Sequence, residues 1–110
     1  MGKYKVLIAE DDEWYARLLE YHVSLNESFS VEVAKTGEEM IRKLKEQPDI
    51  ITLDYSLPDH NGERLLEIIQ QELPETEVVI ISGQEDVKTA ISLLNAGAYD
   101  YIVKDEDTKD

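Results

Sequence analysis

Cysteine is absent from this chain, which excludes disulfides and thiolate-held metals at once. Basic residues are scarce. The 11 Lys and Arg stand against 25 Asp and Glu, for a formal charge of −14. Binding to a phosphodiester backbone needs clustered cations, so this domain is not expected to contact nucleic acid directly. Long hydrophobic runs are missing too, and none approaches the roughly 20 apolar residues that a membrane helix requires. The opening MGKYKVLIAE passes straight into a strand-like run, so a secretory leader is not expected and a cytoplasmic protein is the simplest reading. Neither G-x-G-x-x-G nor G-x-x-x-x-G-K-[ST] occurs, which leaves nucleotide binding without support.

What is present fits one domain of 110 residues, with 42% hydrophobic and 33% charged residues. Short β-type runs alternate with amphipathic helical stretches. Residues 5–9 (KVLIA) read as a buried strand, and from Trp14 to Leu25 the residues Tyr15, Leu18, Leu19, His22 and Val23 recur at helical spacing. Residues 29–34 (FSVEVA) alternate with period two. Thr36-Gly37-Glu38-Glu39 has the form of a capping box and opens a helix through Met40, Ile41 and Leu44, which Pro48 stops. Residues 49–53 (DIITL) form a strand that runs into Asp54, and a turn-rich loop leads to a helix over 64–72 with Leu65, Ile68 and Ile69 inward. Residues 77–82 (EVVIIS) lack polar alternation, as a strand buried on both faces would. A helix over 86–95 carries Val87, Ala90, Ile91 and Leu94, with Gly97 placed to close it, and a strand over 99–103 ends at Lys104. This alternation predicts right-handed crossovers and a parallel α/β sheet covered on both sides. The chain stops a few residues later, where a fifth covering helix is expected. The reading is therefore of a C-terminally truncated domain spanning 1–110.

Chemistry collects at the strand ends. Glu10 and Asp11 follow the first strand, Asp54 the third, Ser82 ends the fourth and Lys104 the fifth. In a parallel sheet those carboxyl ends share one edge, where the ligand crevice forms. Three carboxylates crowded there repel one another unless a hard divalent cation intervenes, and Mg²⁺ suits a few carboxylates plus phosphate oxygens. A carboxylate so placed can attack phosphorus, with Lys104 supplying positive charge and the Ser82 hydroxyl a hydrogen bond. Each residue alone has an ordinary explanation: helix N-terminal charge for Glu10 and Asp11, an Asx turn for Asp54, an N-cap for Ser82, a solvated lysine for Lys104. Their coincidence at one edge is what those explanations do not supply. His22, on the inward-leaning side of the first helix, and His60, in a loop, have no partner at ligand or triad spacing. Trp14 and Tyr15 read as packing residues of the first helix.

Glu10-Asp11, the run Asp54-Tyr55-Ser56-Leu57-Pro58 with Gly62, Ser82-Gly83, and Tyr101-Ile102-Val103-Lys104 together resemble the receiver domains of two-component response regulators. Ile81-Ser82-Gly83-Gln84 and the run from Gly97 to Tyr101 look most like receivers of sigma-54-dependent (NtrC-type) transcriptional activators. The resemblance implies a doubly wound, flavodoxin-like (CheY-like) five-stranded sheet of order 2-1-3-4-5. It implies that Asp54 accepts a phosphoryl group from a sensor histidine kinase, a histidine phosphotransfer protein or acetyl phosphate. Asp11, Asp54, the Ser56 backbone carbonyl and Glu10 (through water) would hold Mg²⁺, and Lys104 would pair with the phosphoryl group. Ser82 would swing toward that group and Tyr101 would rotate into the space vacated, which makes the domain a switch and not an enzyme. Two departures stand out. Asp105 occupies the position after the lysine where the family usually has a cis proline, and the fifth helix is missing. The face it would cover is expected to be closed by a homodimer, an exchanged element or a partner. A haloacid-dehalogenase-like phosphatase would need a second acid at Ser56 and room for a cap domain. A Toprim-type nuclease domain fails on the same acid and on the charge. A phosphorylation-independent interaction module on this fold is the remaining rival.

Overall fold

The computed structural model describes residues 3–104. β1 (Tyr4–Ala9), β2 (Phe29–Ala34), β3 (Ile50–Asp54), β4 (Glu77–Ser82) and β5 (Asp100–Val103) alternate with α1 (Glu13–Ser24), α2 (Gly37–Lys43), α3 (Gly62–Glu72) and α4 (Val87–Asn95). The strands form one parallel sheet of order β2-β1-β3-β4-β5. Strand order reverses between β1 and β3, so their carboxyl ends diverge into a crevice.

Local chemistry sets most boundaries. Asp12 caps α1, its Oδ1 accepting from the Trp14 and Tyr15 N–H groups at 3.0 and 3.3 Å. Thr36 caps α2 through the Glu39 N–H at 3.0 Å, while the Glu39 carboxylate reaches back to the Lys35 N–H at 2.8 Å, one residue beyond a strict capping box. α2 then tightens into a 3-10 turn at Leu44–Glu46, and Gln47 at φ 55° turns the chain before Pro48. Gly97, at φ 113°, closes α4 in a conformation that a side chain rarely adopts.

Alternation along the strands divides the core. Leu7 and Ala9 of β1, Ile51 and Leu53 of β3, and Val78 and Ile80 of β4 meet Met40 of α2, Leu65, Leu66 and Ile69 of α3, and Leu93 of α4 in one cluster. Val6 and Ile8 point to the opposite face, where α1 lies against β1 and β2 and buries Tyr15 and Ala16. On that second face Val79 is half-buried and Ile102 is 44% exposed, so the incompletely covered apolar surface read from the sequence is there among the described residues. The fifth helix is read from the sequence as missing, and the residues after Lys104, where it would follow, lie outside the described residues, as does the peptide between Lys104 and Asp105.

The direction of α4 is left open by its spacing, and two expectations for α1, His22 and Trp14, fail. The α4 positions Val87, Ile91 and Leu94 are 67%, 52% and 43% exposed, and Leu93 alone is fully buried. Helical spacing identifies an apolar stripe but not which way it faces, and this short helix over the sheet edge has only the core beside Leu93 to bury itself in. His22 is exposed in the last turn of α1, edge-on to Tyr21, and does not lean inward. Trp14 is 49% exposed, so of the aromatic pair only Tyr15 packs.

Candidate functional site

Three carboxylates converge where β1 and β3 end. Oxygens of Glu10, Asp11 and Asp54 lie within 4.8 Å of one another. Backbone bonding fixes them there: the Glu10 N–H continues the β1–β2 ladder to Ala34 O at 2.9 Å, and the Tyr55 N–H bonds Ile81 O at 2.9 Å. Lys104 is held likewise, its N–H donating to Ser82 O at 2.7 Å. Its ammonium lies 3.0 Å from Glu10 Oε2 and 3.8 Å from Asp54 Oδ2.

Capping of α1 falls to Asp12, with Glu13 in the first turn; Glu10 is buried, accepts from the Asp12 N–H at 3.1 Å and contacts Lys104. Capping of α4 falls to Asp86, not Ser82. Ser82 is buried, and its Oγ accepts from the Gln84 N–H at 3.1 Å. Asp54 does make an Asx turn, Oδ1 accepting from the Ser56 N–H at 3.1 Å, but that turn aims the second oxygen at Lys104. Lys104 is half-buried and paired, not solvated.

Electrostatics follow from this geometry. Burial pushes the Asp54 carboxyl above the usual carboxylate range, with the Ser56 N–H pulling partly the other way and Glu10 adding to the rise. Asp11, on the open side, is also pushed up, by partial desolvation and by Asp54. Burial alone would lower the Lys104 ammonium, but the Glu10 hydrogen bond and the Asp54 and Glu10 charges outweigh it, so the net shift is upward. A cluster of three acids with this one ammonium against it is short of positive charge. Hard oxygen donors lacking a counter-charge suit Mg²⁺, so the donor set fits that ion.

Tyr101 is half-buried against the core cluster, and its hydroxyl donates to Gln84 O at 3.0 Å, tying β5 to the loop that begins at Ser82. Gly83 faces open space, with nothing within 4 Å of where a Cβ would stand, while Ser82 beside it is buried. Of the residues singled out, the structure therefore gathers Glu10, Asp11, Asp54 and Lys104 into direct proximity. Ser56 and Ser82 flank them by backbone bonding, and Tyr101 joins through Gln84.

Two contributors were not legible in the sequence. Asp59 reads as a turn residue after Pro58, yet its carboxylate accepts from the N–H groups of Gly37 and Glu38 at 2.8 and 3.0 Å, tying the β3–α3 loop to the start of α2. Those bonds hold its pKa below the usual range. His60 is half-buried beside it, with Nδ1 3.2 Å from Asp59 Oδ2 but making no hydrogen bond, a proximity that spacing did not reveal. Gly37 permits this approach, since a Cβ there would stand 2.7 Å from His60 Nδ1. The second contributor, Tyr15, lies with its ring 4.7 Å from the Lys104 Nζ.

Residues 6–110 match the family model of the response regulator receiver domain. The chain is 33% identical over 93% of its length to the probable C4-dicarboxylate response regulator DctR of Bacillus subtilis and 30% identical over 94% to the transcriptional regulator NtrC of Proteus hauseri. It spans 46% and 22% of those two relatives. Among solved structures, the signal receiver domain of a putative Luxo repressor protein from Vibrio parahaemolyticus superposes with a TM-score of 0.87 at 31% identity, covering 93% of this chain and 78% of that one. The Francisella response regulator 1452 receiver domain superposes at 0.83 with 29% identity, covering 92% and 84%. No helix among the described residues is long and apolar enough to cross a membrane.

Proposed function

Because the chain belongs to the response regulator receiver family, we propose that it is a cytoplasmic phosphoacceptor switch, not an enzyme, and that Asp54 is the acceptor. One observation carries this reading: the Asp54 carboxylate is buried at a strand end, one oxygen fixed by the Ser56 N–H and the other facing Lys104, beside two further acids. In the transfer, an Asp54 oxygen bonds to phosphorus as the bond from phosphorus to the donor breaks. The leaving group, the imidazole of a kinase phosphohistidine or acetate from acetyl phosphate, takes the electron pair. Asp11, Asp54, Glu10 through water and the Ser56 carbonyl would hold Mg²⁺, which when bound would supply the positive charge that the acid cluster and an incoming phosphoryl group both lack. Lys104 pairs with the phosphoryl oxygens, and the Ser82 hydroxyl turns from the Gln84 N–H to donate to them.

That turn has a downstream consequence. Gln84 is held on one side by Ser82 Oγ and on the other by the Tyr101 hydroxyl, so moving Ser82 disturbs both contacts. Tyr101 rotates toward the space Ser82 leaves, and the α4–β5 surface bearing Val87, Ile91 and Leu94 is reshaped. A sensor histidine kinase or histidine phosphotransfer protein is the upstream partner. One relative is the DNA-binding transcriptional regulator NtrC, so control of transcription through an output domain or partner is the proposed end point.

The test is incubation with Mg²⁺ and acetyl phosphate, read by intact mass. One phosphoryl adduct in the wild type, lost in Asp54→Asn and in chelator, is expected. A folded wild type that gains no adduct would overturn the proposal and favour a phosphorylation-independent module.

A further inference from the structure

The three contacts of the Lys104 ammonium differ in kind. Glu10 Oε2 lies at 3.0 Å, Asp54 Oδ2 at 3.8 Å, and the face of the Tyr15 ring at 4.7 Å from its centroid. Lysine is among the side chains that lose the most rotamer freedom when fixed, so an ammonium left without partners swings away into water. Both charged partners have other commitments during phosphoryl transfer. Glu10 and Asp54 belong to the carboxylate set that a divalent cation would engage, and Asp54 is the group that would be esterified. Glu10 Oε2 already accepts from the Asp12 N–H at 3.1 Å as well.

The ring has no such second role. Tyr15 is only 8% exposed, and the Asp12 cap fixes it in the first turn of α1 by accepting from its N–H. Its face is negative by virtue of the ring quadrupole, and it attracts a cation without bearing a charge that a metal could take up. An aliphatic residue would fill the same volume without that attraction. We infer that Tyr15 is a positioning residue for Lys104: its ring keeps the ammonium in the crevice while metal and phosphoryl group occupy the carboxylates. This rests on the phosphoacceptor reading for its role, but the contact itself can be measured without phosphorylation.

The experiment compares Tyr15→Phe, which keeps the ring, with Tyr15→Leu, which keeps only the bulk. The Lys104 ε-methylene protons, assigned by their disappearance in Lys104→Arg, are followed by carbon-13 NMR correlation spectra, with and without saturating Mg²⁺. An upfield ring-current shift is expected in wild type and Tyr15→Phe, surviving Mg²⁺ addition, and absent in Tyr15→Leu. Acyl phosphate formation from acetyl phosphate is expected to be within twofold of wild type in Tyr15→Phe and about fivefold slower in Tyr15→Leu. Tyr15→Met repeats the comparison if leucine lowers the melting temperature. Loss of the wild-type ring shift on adding Mg²⁺ would overturn the inference, as would equal rates in the phenylalanine variant and an equally stable leucine or methionine variant. If the wild type forms no adduct at all, the phosphoacceptor reading fails, and the shift in saturating Mg²⁺ alone decides whether Tyr15 holds the lysine.

Discussion

Replacing Asp54 by Asn should stabilise the fold when no divalent cation is present, and the size of the effect can be worked from the site. Asp54 and Glu10 are both buried, with oxygens no more than 4.8 Å apart, a repulsion of about 3.5 kcal/mol at an effective dielectric of ~20. Asp11 is exposed, so its repulsion of Asp54 is screened to about 1 kcal/mol. Against these stands Lys104 at 3.8 Å from Asp54, an attraction of about 4.4 kcal/mol on the same footing. The Coulomb effects nearly cancel, which leaves the removal of a buried carboxylate from water to decide the outcome. Asparagine keeps an oxygen for the Ser56 N–H and avoids that desolvation, so a gain of about 1–3 kcal/mol is expected, or roughly 4–13 °C in melting temperature. Burial raises the Asp54 pKa in the folded state, so the native protein binds its proton more tightly than the unfolded chain does. The penalty is therefore fully present above the folded pKa and is relieved as pH falls toward the unfolded value. Thermal and urea unfolding in chelator should show the gap between variant and wild type at neutral pH and its closure on acidification. Saturating Mg²⁺ should stabilise the wild type more than the variant, because binding to the native state alone raises stability by mass action. An Asn variant less stable than wild type in chelator, or a gap indifferent to pH, would refute the assignment of burial as the dominant effect.

Lys104→Met should act in the opposite direction, leaving Glu10 and Asp54 buried without their cation and costing about 3–5 kcal/mol in metal-free urea denaturation. Asp59→Ala should free the start of α2 and lower the urea midpoint without changing the slope. Because the folded state depresses the Asp59 pKa, its contribution is present above the unfolded pKa, and in the wild type it should fade as pH falls through the folded value. Gly97→Ala should cost about 1–3 kcal/mol by thermal denaturation, since φ is 113° and the new Cβ would meet the Gln70 amide.

The sequence carried the fold well wherever local chemistry decides structure. The bounds of β2 and β4 agree with the alternating FSVEVA and the unbroken EVVIIS, and Gly97 closes α4 as its position implied. The crevice was legible for a different reason: parallel topology sends every strand's carboxyl end to one edge, so Glu10, Asp11, Asp54 and Lys104 meet once the crossovers are right-handed. Burial was what spacing left open. Val87, Ile91 and Leu94 keep helical spacing yet face outward, because periodicity gives the angle of a stripe and only the neighbouring elements say whether anything lies against it. The Asp59 bridge to Gly37 and the Tyr15 contact with Lys104 join residues distant in sequence through side-chain geometry, which no local pattern encodes.

Under the proposed phosphoacceptor reading, the position of Lys104 would bear on how the site waits for a phosphoryl donor. Its ammonium is nearer Glu10 than Asp54, and Glu10 Oε2 also accepts the Asp12 N–H at the start of α1. A shorter aspartate side chain at position 10 would leave that oxygen about one methylene farther from the ammonium. The glutamate therefore lets one carboxylate bind both the lysine from β5 and the entry to α1, while Asp54 keeps an oxygen that is oriented but not fully engaged. An acceptor locked in a close ion pair with Lys104 would have to break it before attacking phosphorus. At 3.8 Å the lysine lowers the cost of the Asp54 charge, and under the proposed phosphoacceptor reading it would leave that oxygen room to react and need only a small shift to meet an incoming phosphoryl group.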